Sequence, residues 1–166
     1  QIGVPAPHTQ HLHVRQNGEF YSLGSYIEQI DATFLERNGF DPYGSMYKAN
    51  SPSALSTLAP NPTRNHYQKV TRKFESFEDL REFTDGINNR QAGVDRSTYL
   101  FDRVDLPQVI NNMAGNTILT NHDRLTKNYY VYQEPSSGEW HRFPWDMDQA
   151  FAKRTDRNFS SIFYGN

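Results

Sequence analysis

Leu12-His13-Val14-Arg15 alternates apolar and polar residues, which predicts a short strand. Gln16-Asn17-Gly18-Glu19 follows, and Asn-Gly suits the type I′ turn of a hairpin. A second strand runs from Phe20 towards Ile30, with Leu23, Ile27 and several aromatics on it. Asp31 is placed to cap a short helix carrying Phe34 and Leu35, which Gly39 stops. Ser45-Met46-Tyr47-Lys48 predicts another short strand, and residues 50–66, rich in Pro, Ser and Asn, a surface loop. Ser76 with Asp79 forms a capping-box pattern for a helix reaching Asn88, with Phe77, Leu80, Phe83 and Ile87 as its apolar stripe. Asp105 opens a second helix, with Pro107 in its first turn and an end at Asn121. Leu106, Val109, Ile110, Met113 and Leu119 give that helix its expected apolar face. Two further strand-like runs, Tyr129-Tyr130-Val131-Tyr132 and Trp140-His141-Arg142-Phe143, are joined by the turn sequence Glu134-Pro135-Ser136-Ser137-Gly138. The pattern is α+β within one domain, 1–166, with a strand-rich part over 1–75 and a helical part over 76–166.

Composition narrows the class. The chain has 166 residues, enough for one cored domain, and its 10 tyrosines and 11 phenylalanines supply much of the burial. A net charge of −2 argues against nucleic acid as the main partner. No apolar run is long enough to span a membrane, and no signal-peptide pattern opens the chain. The absence of cysteine excludes disulfides and Cys-ligated zinc. His11 and His13 share one strand face, but no third ligand accompanies them, so a solvated face is the simpler reading.

The spacing around Asp123 carries the chemistry. Asn128 follows Asp123 by 5 residues, and Asp146 follows Asn128 by 18, across the second hairpin. A protein-kinase centre has this order: a catalytic-loop Asp, a metal-binding Asn five residues on, then a hairpin that delivers a second metal-binding Asp. Alone, Asp123 reads as a loop carboxylate satisfying nearby amides. With Asn128 and Asp146 in register it is expected to accept the proton of a substrate hydroxyl, while the other two hold a metal. Asp146 lies between Trp145 and a Phe151-containing segment, and a carboxylate buried among apolar groups needs a partner such as a metal ion. Asp148 is either a second ligand or a structural carboxylate.

These motifs together resemble the spore coat protein H (CotH) kinase family. The resemblance rests on Asn17-Gly18-Glu19-Phe20, on Tyr26-Ile27-Glu28-Gln29-Ile30-Asp31 and on Met46-Tyr47-Lys48. It continues through Asp123 with Lys127-Asn128-Tyr129-Tyr130-Val131-Tyr132, and Phe143-Pro144-Trp145-Asp146-Met147-Asp148. Tyr67-Gln68-Lys69 is similar to a further family segment. Ser22 and Gly24 stand where the family commonly has Gly and Tyr, and Ala152 where it often has Gly. Family domains extend further at both ends, and the chain begins at Gln1, so it reads as an internal part of a longer domain.

The resemblance implies an atypical protein-kinase-like fold and ATP- and Mg²⁺- or Mn²⁺-dependent phosphoryl transfer to Ser or Thr of a protein. It also implies a surface or spore-coat location. It assigns Glu28 and Lys48 to a pair that positions the ATP phosphates, with Lys69 competing for the lysine role. Two rival readings accompany it. One is a surface binding or adhesion module that keeps the fold without turnover. The other is a metal-dependent hydrolase built on Asp146 and Asp148.

Overall fold

The computed structural model describes residues 3–50, 66–88, 93–121, 123 and 127–151, so most of the expected surface loop, and Ala152, lie outside the described residues. Among them are two antiparallel sheets and four helices, a mixed α+β architecture. No described helix is long and apolar enough to cross a membrane.

Strands β1 (Thr9–Gln16) and β2 (Glu19–Ile27) form the expected hairpin. Asn17 and Gly18 both take positive φ, 53° and 87°, as a type I′ turn requires. β2 stops at Ile27, short of Ile30. The hairpin is a separate two-stranded sheet, and every residue of β1 is exposed. Helix α1 (Ala32–Arg37) starts where Asp31 accepts the N–H groups of Thr33 and Phe34.

The second sheet has the order β4 (Tyr67–Lys69), β3 (Ser45–Ala49), β5 (Tyr129–Gln133), β6 (Trp140–Pro144). Lys48 lies opposite Tyr130, and Tyr130 opposite Phe143. The two-residue period sorts its side chains into two cores. One face sets Met46, Tyr130, Tyr132 and Phe143 against Ile30 and the Phe34 and Leu35 of α1. The other sets Tyr47, Ala49, Tyr67, Tyr129 and Trp140 against Leu80 and Phe83 of helix α2 (Glu78–Ile87). Phe83 stacks on Trp140 with centroids 4.4 Å apart.

Three helical details depart from the sequence pattern. The capping box of α2 does not form: the helix begins at Phe77 without a side-chain cap bond. Asp79 instead accepts the buried Tyr47 hydroxyl, which needs a partner once it is removed from water. Helix α3 (Arg96–Arg103) is an addition; Asp95 caps it through Thr98 N–H at 3.0 Å, and Tyr99 is its buried residue. Helix α4 (Leu106–Ile118) starts at Asp105 as expected but ends before Asn121, and its buried face is rotated from the expected apolar one: Leu106, Val109 and Leu119 are half-buried. Gln108, Asn112 and Asn116 are buried, while Ile110, Met113 and Ile118 are 59%, 54% and 69% exposed. The Gln108 amide explains the rotation. It donates to the Arg142 carbonyl at 2.5 Å and accepts the Arg142 N–H at 3.0 Å, pairing with the β6 backbone as a strand would. Hydrogen bonding as well as apolar area chooses the buried face.

Candidate functional site

The residues that close α4 and open β5 bring the expected catalytic loop to the sheet. Asn128 is 7% exposed, and its Nδ2 donates to Asp123 Oδ2 at 2.6 Å. A carboxylate offers only acceptors, so the amide nitrogen must face it and Asn128 Oδ1 is turned to the other side. The Asp123 N–H donates to Asn121 Oδ1 at 3.1 Å, and Lys127 Nζ lies 3.7 Å from Asp123 Oδ2.

Asp146 arrives from the other strand of the hairpin. Tyr129 pairs with Pro144, and the Trp145 N–H donates to the Asn128 carbonyl at 3.2 Å, so Asp146 follows the residue bonded to Asn128. Asn128 (φ 62°) and Asp146 (φ 54°) both adopt the left-handed conformation, which Asn and Asp tolerate better than most residues. The expected burial of Asp146 is not found: it is exposed. A 3₁₀ turn, Met147–Gln149, follows directly and carries the exposed Asp148. Both carboxylates line a cavity of about 410 Å³ whose opposite wall is the base of the β1–β2 hairpin, with Ala6, Pro7, Thr9 and Ile27. Asp123 and Asn128 do not line that cavity.

The expected Glu28–Lys48 pair is not formed. Glu28 receives two bonds from Arg37, at 2.8 Å and 2.6 Å, and the His8 N–H at 2.8 Å. The Arg37 hydrogen bonds hold the Glu28 carboxyl below the usual carboxylate range. The planar guanidinium of a neighbouring helix matches a carboxylate fork better than an ammonium on another strand. Glu28 thus ties the segment before β1 to α1. Lys48 extends over the same sheet face as Tyr130, with Nζ 5.0 Å from the Trp145 ring centre and 5.8 Å from that of Tyr130. Lys69 is paired in register with Tyr47 and lies on the other face. Its Nζ donates to the Ser76 carbonyl at 2.6 Å, beside the Tyr47 and Phe77 rings, and burial lowers its pKa. The two lysines therefore do not share a cleft, and Lys48 is the one beside the Trp145-Asp146 turn.

Asn116 was not singled out by the sequence pattern, and Asn121 and Lys127 entered it only as a helix end and as part of a quoted motif, with no role at the site. Among the described residues no group of three His, Cys, Asp or Glu side chains could hold a metal ion. A Mg²⁺ shared with nucleotide phosphates needs only one or two protein carboxylates.

No curated protein matches the chain. The family model for the CotH kinase protein matches residues 1–164, and the chain belongs to the CotH kinase family.

Proposed function

We propose that the chain is an ATP- and divalent-metal-dependent protein kinase, on an atypical protein-kinase-like fold, that phosphorylates Ser or Thr. The single observation that carries this reading is the orientation of the Asn128 amide. It gives its nitrogen to Asp123 and leaves its oxygen for a cation. A loop Asp and an Asn just before a strand need no such division of labour for packing alone.

In this reading Asp123 accepts the proton of the acceptor hydroxyl. Asn128 Oδ1 and the Asp146 carboxylate hold Mg²⁺ or Mn²⁺, with Asp148 a further carboxylate on the same turn. Bound there, the metal neutralises charge on the phosphate oxygens of ATP. Lys48, beside Trp145, is the phosphate-facing cation, and the cavity beneath the β1–β2 hairpin receives the nucleotide. Glu28 supports the hairpin base rather than the lysine.

A second reading, a surface binding module, is favoured by the hairpin itself. Phe20, Tyr21 and Leu23 are 61%, 65% and 75% exposed. The two readings separate in one experiment. Wild-type protein is titrated with ATP and Mg²⁺ or Mn²⁺ in a calorimeter and assayed for radiolabel transfer from ATP to a Ser-rich protein. Metal-dependent binding with transfer is expected. If neither metal supports nucleotide binding, the kinase reading falls and the binding module replaces it.

A further inference from the structure

A chain of buried side-chain amides leads from the core of α4 to both acidic segments of the site. Asn112, Asn116 and Asn121 are 2%, 6% and 1% exposed. Asn116 Nδ2 donates to the Asn112 carbonyl at 2.9 Å. Asn121 Nδ2 donates to Asn116 Oδ1 at 3.0 Å, and the Asn121 N–H to the Asn116 carbonyl at 3.0 Å. The far end of Asn121 then divides. Its Oδ1 accepts the N–H of Asp123, and its Nδ2 lies 3.1 Å from Sδ of Met147, the residue between Asp146 and Asp148.

We propose that Asn121 is a positioning residue that fixes the Asp123 loop and the Asp146-Met147-Asp148 turn relative to each other, with α4 as the anchor. This rests on the kinase reading above and deepens it. Buried amides are an expensive choice unless satisfied, because an unpaired buried polar group costs more than a hydrogen bond returns. Asn116 and Asn121 are paired, while Asn112 Nδ2 has no partner among the described residues. Their arrangement gives the buried asparagines of α4 a role: Asn116, bonded to Asn112, holds Asn121 just beyond the helix end. An apolar residue at position 121 would fill the space but would offer Asp123 and Met147 no directional contact. The backbone agrees. Thr120 has φ 48°, unusual for a β-branched residue, just where the chain must turn to put Asn121 into the core. The Phe151 N–H closes the other side on the Leu119 carbonyl at 2.8 Å, so the end of the acidic turn is also tied to the end of α4.

The test uses Asn121→Ala and Met147→Leu in the same chain, with kcat, the KM for ATP, the Mn²⁺ concentration for half-maximal transfer, and the thermal midpoint measured together. Asn121→Ala should lower kcat about tenfold, as for loss of a buried hydrogen bond that positions the Asp123 backbone, and should also raise the Mn²⁺ requirement. Met147→Leu conserves volume but removes the weak sulfur acceptor. It should raise the Mn²⁺ requirement about threefold and lower kcat less than Asn121→Ala does. A merely structural asparagine would reduce the folded fraction and leave the Mn²⁺ requirement of the folded molecules unchanged. If Asn121→Ala does not fold, the Met147→Leu metal titration decides. Wild-type transfer with an unchanged Mn²⁺ requirement in both variants overturns this inference alone. A wild type that neither binds metal-nucleotide nor transfers phosphate overturns the kinase reading, and this inference with it.

Discussion

Asn128 donates its side-chain N–H to the carboxylate of Asp123, so the proposed base also orients the proposed metal ligand. The two residues cannot be varied independently. Asp123→Ala removes the proton acceptor and releases the Asn128 amide, so both turnover and metal-nucleotide affinity should fall. Asp123→Asn keeps an oxygen for Asn128 while discarding the basic carboxylate. It should retain metal-nucleotide affinity within a few-fold and lose turnover by about 10²–10⁴. Calorimetric titration beside radiolabel transfer checks this. Equal affinity losses in the two variants would mean the hydrogen bond does not orient Asn128.

The two lysines should separate binding from stability. Lys48→Met should weaken ATP binding by roughly tenfold or more, the range for losing a charged hydrogen-bond donor. Lys69→Met leaves the Ser76 carbonyl without its donor and should cost about 1–3 kcal/mol of stability, with ATP affinity little changed. A result with the roles exchanged, read by calorimetry and urea unfolding, would move the phosphate contact to the Lys69 face of the sheet.

His141 makes stability depend on pH. Burial among Phe40, Tyr132 and Phe143 lowers its pKa below 6.5, and this outweighs the attraction of Asp105, whose Oδ2 lies 3.3 Å from Nδ1, and of Glu139 and Glu134. The unfolded chain therefore binds the proton more readily. The stabilisation is fully present above pH 6.5 and is lost as pH falls through the folded-state value. The thermal midpoint should drop between pH ~7.5 and ~5, and His141→Gln should remove part of that slope. An identical slope in the variant would assign the effect to other groups.

Gly86 in α2 faces the Tyr99 ring of α3 so closely that an added Cβ would overlap it. Gly86→Ala should destabilise by about 1–3 kcal/mol despite the better helix propensity of alanine. Denaturant unfolding of this variant reports the packing of α2 on α3. A gain in stability would mean that Tyr99 moves aside freely.

The elements governed by period and turn chemistry were legible: the Asn17-Gly18 hairpin, the Asp31 and Asp105 caps and the β5–β6 hairpin all stand where the pattern puts them. The face of α4 was not, because Gln108 and Asn116 are buried by hydrogen bonds whose partners, Arg142 and Asn121, come from other parts of the fold. Glu28 was misassigned for a similar reason. Its partner depends on where Arg37 lies in space, which spacing along the chain does not reveal. The proximity of Asp123 and Asn128 was readable because residues five apart along the chain stay within reach of one another.

The β6 edge has one further consequence. Val104 bridges to Trp140, the Asp105 N–H bonds the Trp140 carbonyl, and Gln108 takes both backbone groups of Arg142. The outer strand therefore offers no open row of backbone groups at Trp140 or Arg142. An extended peptide cannot lengthen the sheet there, and neither can a strand of another molecule. Helix α4 and the residues just before it thus also guard this edge of the sheet against unwanted polymerisation.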